Sequence, residues 1–300
     1  MTGIWVDTDF GFDDLWALLL LRHFGCAVAG VSLVAGNAPL AQVARNAVAA
    51  KEAYGFDWPL WQGASRPLVR APETATRILG PTGMRSRGKV LDAAVRDLPP
   101  SGAVDALANW LRANHEEPRE ILALGPLTNI AHCLQAFPDL ANRIDRLVWM
   151  GGSAGPGNHT ALAEFNAVAD AEALDVVLAS DIPLDVVDLT FCRTVTFGPN
   201  GLPDTDPLTR DLLGGYLDIA LERGRPEMAI YDPLAALAIA RPECIAFAPC
   251  KITVETDATE AYGATTFIDR QSRTRRSVGA SVDLARLCLD ALEGEVVDGL

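Results

Sequence analysis

Four aspartates lie within a short stretch near the start of the chain: Asp7, Asp9, Asp13 and Asp14. Carboxylates this close repel one another, and they stay ionised together only where a cation or a well-hydrated surface offsets the charge. An aspartate that caps a helix is the ordinary alternative for one or two of them. Capping does not account for Asp7 and Asp9, which precede the predicted helix, so the cluster indicates a divalent metal.

A strand followed by a helix positions this acidic cluster. Residues 4–6 form an apolar run typical of a strand, and residues 15–21 are all apolar. We therefore predict a strand at 4–6, a helix at 14–24 and a turn between them. Gly11 supplies the backbone freedom that this turn needs.

The same alternation of strands and helices continues along the chain. Further strands are predicted at 27–35, 60–62, 121–124, 146–150 and 184–187, with a closing antiparallel pair at 251–255 and 265–268. Helices are predicted at 40–54, 103–114, 170–180, 208–223, 232–240 and 281–292, and another opens within 125–129 and runs to 136. Residues 64–100, rich in Pro, Gly and Arg, are predicted to form a long surface excursion.

This order predicts an α/β fold with one domain spanning residues 1–300. Its core would be an open, mostly parallel, Rossmann-like sheet with helices on both faces. In such sheets ligands bind beyond the carboxyl ends of the strands. Polar residues follow many of the predicted strands or open helices, and any one of them could be a turn former or a cap. Together they predict one binding rim: Asp9, Asp13, Asp14, Asn37, Thr128, Asn129, Asn158, Glu164, Asn166 and Asp232.

Composition excludes several classes of protein. The formal net charge of −14 argues against binding a nucleic-acid backbone. No apolar run is long enough to cross a bilayer, and the N-terminus lacks the basic region of a secretory signal. Six cysteines without ligand-like spacing are typical of reduced thiols. We therefore expect a cytoplasmic, globular protein that binds neither nucleic acid nor membrane.

Five motifs give the sequence a family resemblance. Residues 7–14, DTDFGFDD, are similar to a DTDxGxDD motif, and Gly36-Asn37 is similar to a GN motif. GPLTNIA at 125–131, a segment with Gly157-Asn158 and AEFN at 163–166, and YDPLA at 231–235 complete the set, the last being HDPLA in many relatives. In this order and spacing the sequence resembles the nucleoside hydrolase family, the inosine-uridine preferring nucleoside N-ribohydrolases.

The resemblance implies a nucleoside hydrolase fold and calcium-dependent hydrolysis of the N-glycosidic bond of ribonucleosides. It implies that Ca²⁺ is held by Asp9, Asp14, Asp232 and the backbone carbonyl of Thr128. Asp9 would take a proton from a metal-bound water, which then attacks the anomeric carbon. The residues that would bind ribose hydroxyls and water are Asp13, Asn37, Asn158, Glu164 and Asn166, with Asn37 also counted as catalytic. The resemblance further implies a role in purine or pyrimidine salvage and a homodimer or homotetramer.

Three positions depart from the family pattern. Phe10 stands where relatives often have Pro or another small turn former, and Leu79 stands before Gly80 where some have His. Tyr231 replaces the His thought to protonate the departing base. A phenol is a poor proton donor at neutral pH, but it can stack on a base or hydrogen-bond to it, so we assign Tyr231 to the catalytic and substrate-binding residues. A packed aromatic residue without a role in catalysis is the alternative for Tyr231.

Histidines are the other candidate acids for the departing base. His115, His132 and His159 qualify by type, and only His159 lies on a predicted site loop. A structural role is the interpretation we favour for it.

Two other classes of protein remain as alternatives. A haloacid dehalogenase-like phosphohydrolase also begins with a strand and Asp-x-Asp, but it needs Thr or Val where Gly11 stands. A calcium-dependent nucleoside- or sugar-binding protein with little turnover would not need the base Asp9.

Overall fold

The computed structural model describes residues 3–92, 98, 101–113 and 118–293. Within these ranges the strands are β1 (Ile4–Thr8), β2 (Val28–Leu33), β3 (Leu60–Gln62), β4 (Glu120–Ala123), β5 (Arg146–Met150), β6 (Leu184–Val187), β7 (Thr196–Phe197), β8 (Met228–Ala229), β9 (Ile245–Val254), β10 (Thr265–Asp269) and β11 (Thr274–Ala280). The helices are α1 (Phe12–His23), α2 (Leu40–Ala53), α3 (Thr76–Leu79), α4 (Ala103–Arg112), α5 (Thr128–Ala136), α6 (Phe165–Ala169), α7 (Ala171–Ala179), α8 (Leu189–Cys192), α9 (Pro207–Leu221), α10 (Asp232–Ala240) and α11 (Leu284–Asp290). Short 3₁₀ turns cover Pro138–Arg143, Pro199–Gly201 and Pro242–Cys244.

Nine strands form one sheet in the order β10-β9-β11-β6-β5-β4-β1-β2-β3. The seven strands from β11 to β3 run parallel, whereas β9 runs antiparallel to both of its neighbours. The predicted open, mostly parallel sheet is therefore confirmed, as is the antiparallel pair at its edge. Because β1 is an interior strand between its parallel neighbours β4 and β2, the turn that follows it opens at the carboxyl edge beside the ends of both.

The sheet separates two apolar cores, because side chains of a strand point alternately to its two faces. Val6, Leu122 and Val148 pack on one face with α1, α2, α9 and α10. Trp5 and the residues just before Leu122 and Val148 pack on the other face with α4, α5 and α7. Both faces are thus covered, and β1, β2, β4, β5 and β6 are buried along most of their length, as their continuous apolar sequences predict.

Several elements differ from the prediction, which gave no counterpart to β7, β8, β11, α3, α6 or α8. Strand β11 lies between β6 and β9, although no strand was expected at 274–280. Its side chains are mostly exposed or half-buried, with only Ser277 buried, so it lacks the apolar run that marks the other strands. The predicted helix at 170–180 is confirmed as α7, which begins after Asp170 because that residue leaves the helical conformation and caps α7 by accepting from the Ala173 amide at 3.0 Å.

The first part of the predicted surface excursion is held against the body of the protein. Arg87 donates to both carboxylate oxygens of Asp218 on α9, at 2.9 and 2.7 Å. Arg70 pairs with Glu172 on α7 at 2.8 Å. These contacts fix the segment that carries Ile78 and Leu79 beside the carboxyl edge of the sheet. Part of the predicted excursion, residues 93–97, 99 and 100, lies outside the described residues, as does the last residue of the predicted helix at 103–114.

Two expectations from composition concern thiols and membranes. All six cysteines are free thiols, as their spacing predicts. In the described ranges no helix has both the length and the apolar character that a bilayer-spanning segment needs.

Candidate active site

The turn between β1 and α1 folds so that its carboxylates face the carboxyl edge of the sheet. Phe10, fully buried, takes a left-handed backbone conformation with φ 33°, which reverses the chain directly after Asp9. Gly11 follows, and its amide donates to Asp14 Oδ2 at 2.7 Å. The Thr8 hydroxyl donates to the other oxygen of Asp14. Asp14 therefore turns back onto the strand end and remains fully buried beside Asp9.

Asn37, after β2, holds this acidic turn together. Its backbone amide donates to Asp9 Oδ2 at 2.7 Å, and its side-chain amide donates to Asp9 Oδ1 and Asp14 Oδ2, both at 3.1 Å. Gly36 makes this close approach possible, because a Cβ at that position would lie 2.1 Å from Asp9 Oδ2. Two parallel neighbours in the sheet, β1 and β2, thus bring Asp9, Asp14 and Asn37 together.

Asp232 joins the aspartates of the turn from the first residue of α10. Asp13, Asp14 and Asp232 each offer a carboxylate oxygen within 4.8 Å of the others. Burial and mutual repulsion raise the pKa values of Asp9 and Asp232 well above the ordinary range, and burial raises that of Asp13 to about 7. In the described part of the chain no Lys or Arg forms an ion pair with any of them. A cation with a preference for oxygen ligands fits this cluster.

Thr128 is placed differently from the sequence-based prediction. It opens α5, lies buried outside the cavity, and its hydroxyl donates to Asp170 at 2.7 Å. Its carbonyl follows that of the N-cap Leu127, so it belongs to the helix and points along the helix axis toward the C-terminal end of α5. The backbone that approaches the carboxylates is residues 124–125 instead. Leu124 lines the cavity, and a Cβ on Gly125 would lie 3.1 Å from the Asp9 side chain.

The loop after β5 contributes a second group of polar side chains to the same cavity. Glu164 caps α6 by accepting from the Asn166 and Ala167 amides at 2.9 and 3.1 Å, and it also accepts from Gly152 at 2.8 Å. Burial raises the pKa of Glu164 to about 7. Asn166 donates to the carbonyls of Leu124 and Met150 at 2.9 and 3.0 Å.

Asn158 ties the start of this loop to its end. Its side-chain oxygen accepts from the Phe165 amide at 2.9 Å. Asn158, Glu164 and Asn166 all line the cavity that Asp9 and Asp13 line.

The remaining wall of the cavity is cationic, aromatic and apolar. Tyr231 lies immediately before Asp232, and burial raises its pKa to about 12. The positive charges of Arg193 and Arg225 lower the pKa of Tyr231, against the larger effect of burial, so both arginines lie within electrostatic range of its hydroxyl. The other residues of this wall are Ile78, Leu79, His159, Phe165, Ile219, Arg223 and Met228.

Of the two candidate histidines within the described residues, one lines the cavity and the other does not. His159 lines it, with Nε2 2.7 Å from Glu73 Oε1 and its ring packed on Phe165. His132 lies on α5 and is not part of the cavity wall. His115 lies outside the described residues.

Comparison with known proteins agrees with this geometry. Residues 4–288 match the family described as inosine-uridine preferring nucleoside hydrolase. The chain belongs to this family. It is 34% identical over 278 residues to the non-specific ribonucleoside hydrolase RihC of Escherichia coli O127:H6, covering 89% of this chain and 88% of that protein.

Solved structures give the same fold. The inosine-guanosine nucleoside hydrolase IG-NH superposes with a TM-score of 0.85 at 25% identity, over 99% of both chains. The purine-preferring ribonucleoside hydrolase of Gardnerella vaginalis gives a TM-score of 0.88 at 20% identity, over 98% of this chain and 99% of that one. The present chain is thus a nucleoside hydrolase, an enzyme that acts on N-glycosyl compounds, and the phosphohydrolase alternative is wrong.

Most of the residues predicted for the site of this nucleoside hydrolase lie together. The cavity is lined by Asp9, Asp13, Asn37, Asn158, Glu164, Asn166, Tyr231 and Asp232, and Asp14 joins the same carboxylate cluster. Thr128 is the exception. Sequence reasoning missed Leu124, Arg193 and Tyr216, whose hydroxyl donates to Asp13 at 3.1 Å. Leu124 ends a predicted strand and could have been found from that position, whereas nothing in its own sequence marks Tyr216 within the apolar helix α9.

Proposed function

We propose that this nucleoside hydrolase cleaves the N-glycosidic bond of ribonucleosides to give ribose and a free base, with Asp9 as the catalytic base and Ca²⁺ as the metal. The observation that carries the proposal is the meeting, in one cavity, of a buried carboxylate cluster with a wall of Asn and Glu side chains. The first group suits a cation and an attacking water, and the second suits the hydroxyls of a sugar. The relative from E. coli named a non-specific ribonucleoside hydrolase supports the substrate class.

The donor atoms of the cluster favour calcium. Ca²⁺ takes several oxygen ligands from carboxylates and backbone carbonyls, and no nitrogen or sulfur ligand belongs to this cluster. We propose Asp9, Asp14 and Asp232 as its side-chain ligands. For the carbonyl ligand we propose Leu124 in place of Thr128, because Leu124 lines the cavity next to Asp9. When bound, the ion supplies Lewis-acid chemistry, lowering the pKa of a water in its coordination sphere.

Asp9 is suited to accept the proton of the attacking water. Both of its oxygens are held by Asn37, which fixes the plane of the carboxylate before substrate binds. A base that is held in place needs little reorganisation when the water attacks. We propose this orienting role as the catalytic contribution of Asn37.

The sugar would lie between Asp13 and the Asn158, Glu164 and Asn166 wall. Hydrolysis of a glycosidic bond develops positive charge on the ring oxygen and anomeric carbon, which nearby carboxylates stabilise. Asp13 is oriented for this by the Tyr216 hydroxyl at 3.1 Å. Glu164 and Asn166 are fixed by backbone contacts, so the remaining lone pairs of their side-chain oxygens have a defined direction.

The base would lie against Ile78, Leu79, Phe165 and Tyr231. With a pKa of about 12, Tyr231 keeps its proton at neutral pH and serves as a hydrogen-bond donor.

We also propose that the whole chain acts as one domain, as a cytoplasmic homodimer or homotetramer in purine or pyrimidine salvage. The free cysteines support a reducing compartment.

The test is a reducing-sugar assay on purine and pyrimidine ribosides. Ribose release is expected with the metal-loaded enzyme and is expected to stop when a chelator removes the ion. Asp9→Asn should remain folded by circular dichroism while kcat falls by about three orders of magnitude or more. Binding of ribosides without ribose release by the wild type would instead identify a binding protein, and near-normal turnover in Asp9→Asn would refute the role of Asp9.

A further inference from the structure

Three guanidinium groups share the cavity with Tyr231 and the carboxylates. Arg193, Arg223 and Arg225 line the cavity, and none forms an ion pair with a carboxylate in the ranges that the structure describes. The two nearest acids along the chain face elsewhere. Glu222 pairs with Arg85 at 2.6 Å, and Glu227 accepts from the Thr196 hydroxyl. In a chain with a net charge of −14, these arginines bring positive charge to a cavity that also holds Asp9, Asp13 and Asp232.

Two of these arginines lie close to the residue that precedes Asp232. Arg193 and Arg225 are both within electrostatic range of the Tyr231 hydroxyl. Arg193 is fixed, because its guanidinium donates to the carbonyls of Pro156 and Gly157 at 2.6 and 2.7 Å. Arg225 is exposed at the cavity wall, so its guanidinium is free to contact a bound ligand. Neither contact partner of Arg193 carries a charge, so its positive charge remains available to the cavity.

The departing base requires stabilisation from the protein. When the N-glycosidic bond breaks, its electron pair moves onto the base nitrogen, and the negative charge must be neutralised by a proton or balanced by a cation. Tyr231 offers a hydroxyl donor, and Leu79 offers none. Guanidinium groups do not lose a proton in proteins, so Arg225 cannot protonate the base but can bind the anion.

We propose that this enzyme expels the base as an anion that the Arg225 guanidinium binds directly, with Arg193 contributing its field, rather than as a base protonated by a general acid. The proposal rests on the proposed function. Water adds its oxygen to the anomeric carbon and gives its proton to Asp9, while the electrons of the broken C–N bond go to the base nitrogen. The base anion takes a proton from solvent after it leaves. Arg225 is therefore a catalytic residue, and ribosides whose bases form weakly basic anions are the preferred substrates.

The experiment uses bases of one shape and graded acidity. 5-Fluorouridine, uridine and 5-methyluridine differ by one small substituent that progressively weakens the acidity of the departing N–H group. Single-turnover rates of base release isolate the cleavage step for each substrate. We expect the wild-type rate to decrease along the series, and Arg225→Gln to make this decrease steeper, with a loss of roughly 10- to 100-fold on 5-methyluridine and a smaller loss on 5-fluorouridine. Arg225→Lys, which keeps the charge, should recover part of the loss.

Two further variants separate this role from the alternatives. Arg210→Gln is the matched control, because Arg210 is an exposed arginine on α9 that pairs with Asp204 at 3.2 Å and does not line the cavity. His159→Gln tests protonation by the His159 and Glu73 pair. Arg210→Gln and His159→Gln should both keep the wild-type slope.

Several results would overturn the proposal. A wild-type slope in Arg225→Gln would remove Arg225 from the reaction, and a steeper slope in His159→Gln would assign the leaving group to a general acid. A slope in Arg225→Lys as steep as in Arg225→Gln would exclude a charge effect. Absence of ribose release from all three substrates by the wild type would refute the proposed function itself, and this result is distinct from the others.

Discussion

Gly36→Ala tests whether the position of Asp9 controls the chemistry. The added Cβ would lie 2.1 Å from Asp9 Oδ2 and 2.9 Å from Asp9 Cγ. Side-chain Cβ atoms essentially never approach a heavy atom within 3.0 Å, so Oδ2 must retreat by about 0.9 Å, the difference from 2.1 Å. The backbone of Gly36 is not in the left-handed region, so the effect is purely steric.

This displacement weakens the hydrogen bonds by which Asn37 holds Asp9, of which the shorter is 2.7 Å. A misplacement of about 1 Å in a catalytic group costs about 100-fold in rate, or about 2.7 kcal/mol of transition-state stabilisation. We therefore expect kcat on uridine to fall by about 100-fold in Gly36→Ala, with the far-ultraviolet circular dichroism spectrum unchanged.

The assay is ribose release at saturating uridine and metal, beside a matched control. Gly279→Ala is that control, because its Cβ would meet no heavy atom within 4 Å. A kcat of Gly36→Ala within about threefold of the wild type, with the metal content unchanged, would refute the argument that Asp9 must be held at this position.

Three further predictions concern the metal, pH and the base. Asp14→Ala should lose the bound ion, because it removes a buried carboxylate of the cluster, and elemental analysis that finds full occupancy would exclude Asp14 as a ligand. In chelator-treated protein the pKa of Asp13 is raised from 3.8 to about 7, so between these pH values the folded state binds a proton that the unfolded state does not. The free energy of unfolding should therefore fall as the pH rises through this range. The raised pKa values of Asp9 and Asp232 act in the same direction. Thermal unfolding with and without chelator at pH 5 and pH 8 measures this, and a higher melting temperature of the chelated protein at pH 8 would contradict it. Tyr231→Phe should lower kcat/KM on uridine by less than about tenfold, because a phenol with a pKa of about 12 acts as a hydrogen-bond donor, and a loss of about 1000-fold would instead identify it as the proton donor.

The prediction of the fold succeeded where a segment carries its own signal. Residues 4–6 and 15–21 are apolar runs of different length, so the strand, the turn and the helix around the aspartates follow from local preferences. The prediction failed at β11, whose side chains other than that of Ser277 are exposed or half-buried. That segment is a strand because β6 and β9 supply hydrogen-bonding partners on both sides, and this pairing leaves no trace in its own composition.

The acidic half of the site was readable from the sequence because its residues are close along the chain or end neighbouring parallel strands. Asp9, Asp14 and Asn37 meet for that reason, and the order of the strands makes their meeting necessary. The position of Thr128 shows the limit of this reasoning. A motif identifies the segment that reaches the rim, but the direction of each carbonyl depends on whether its residue is in the helix or before it.

The other half of the site was decided by tertiary structure alone. Arg193 follows α8 and Arg225 follows α9, and the two approach Tyr231, the residue before α10, only in the folded chain. Tyr216 reaches Asp13 across 203 positions of sequence. Side chains that come from separate helices and strands have no fixed spacing along the sequence, so no sequence pattern predicts that they meet. The packing of buried apolar faces brings them within hydrogen-bonding or electrostatic range.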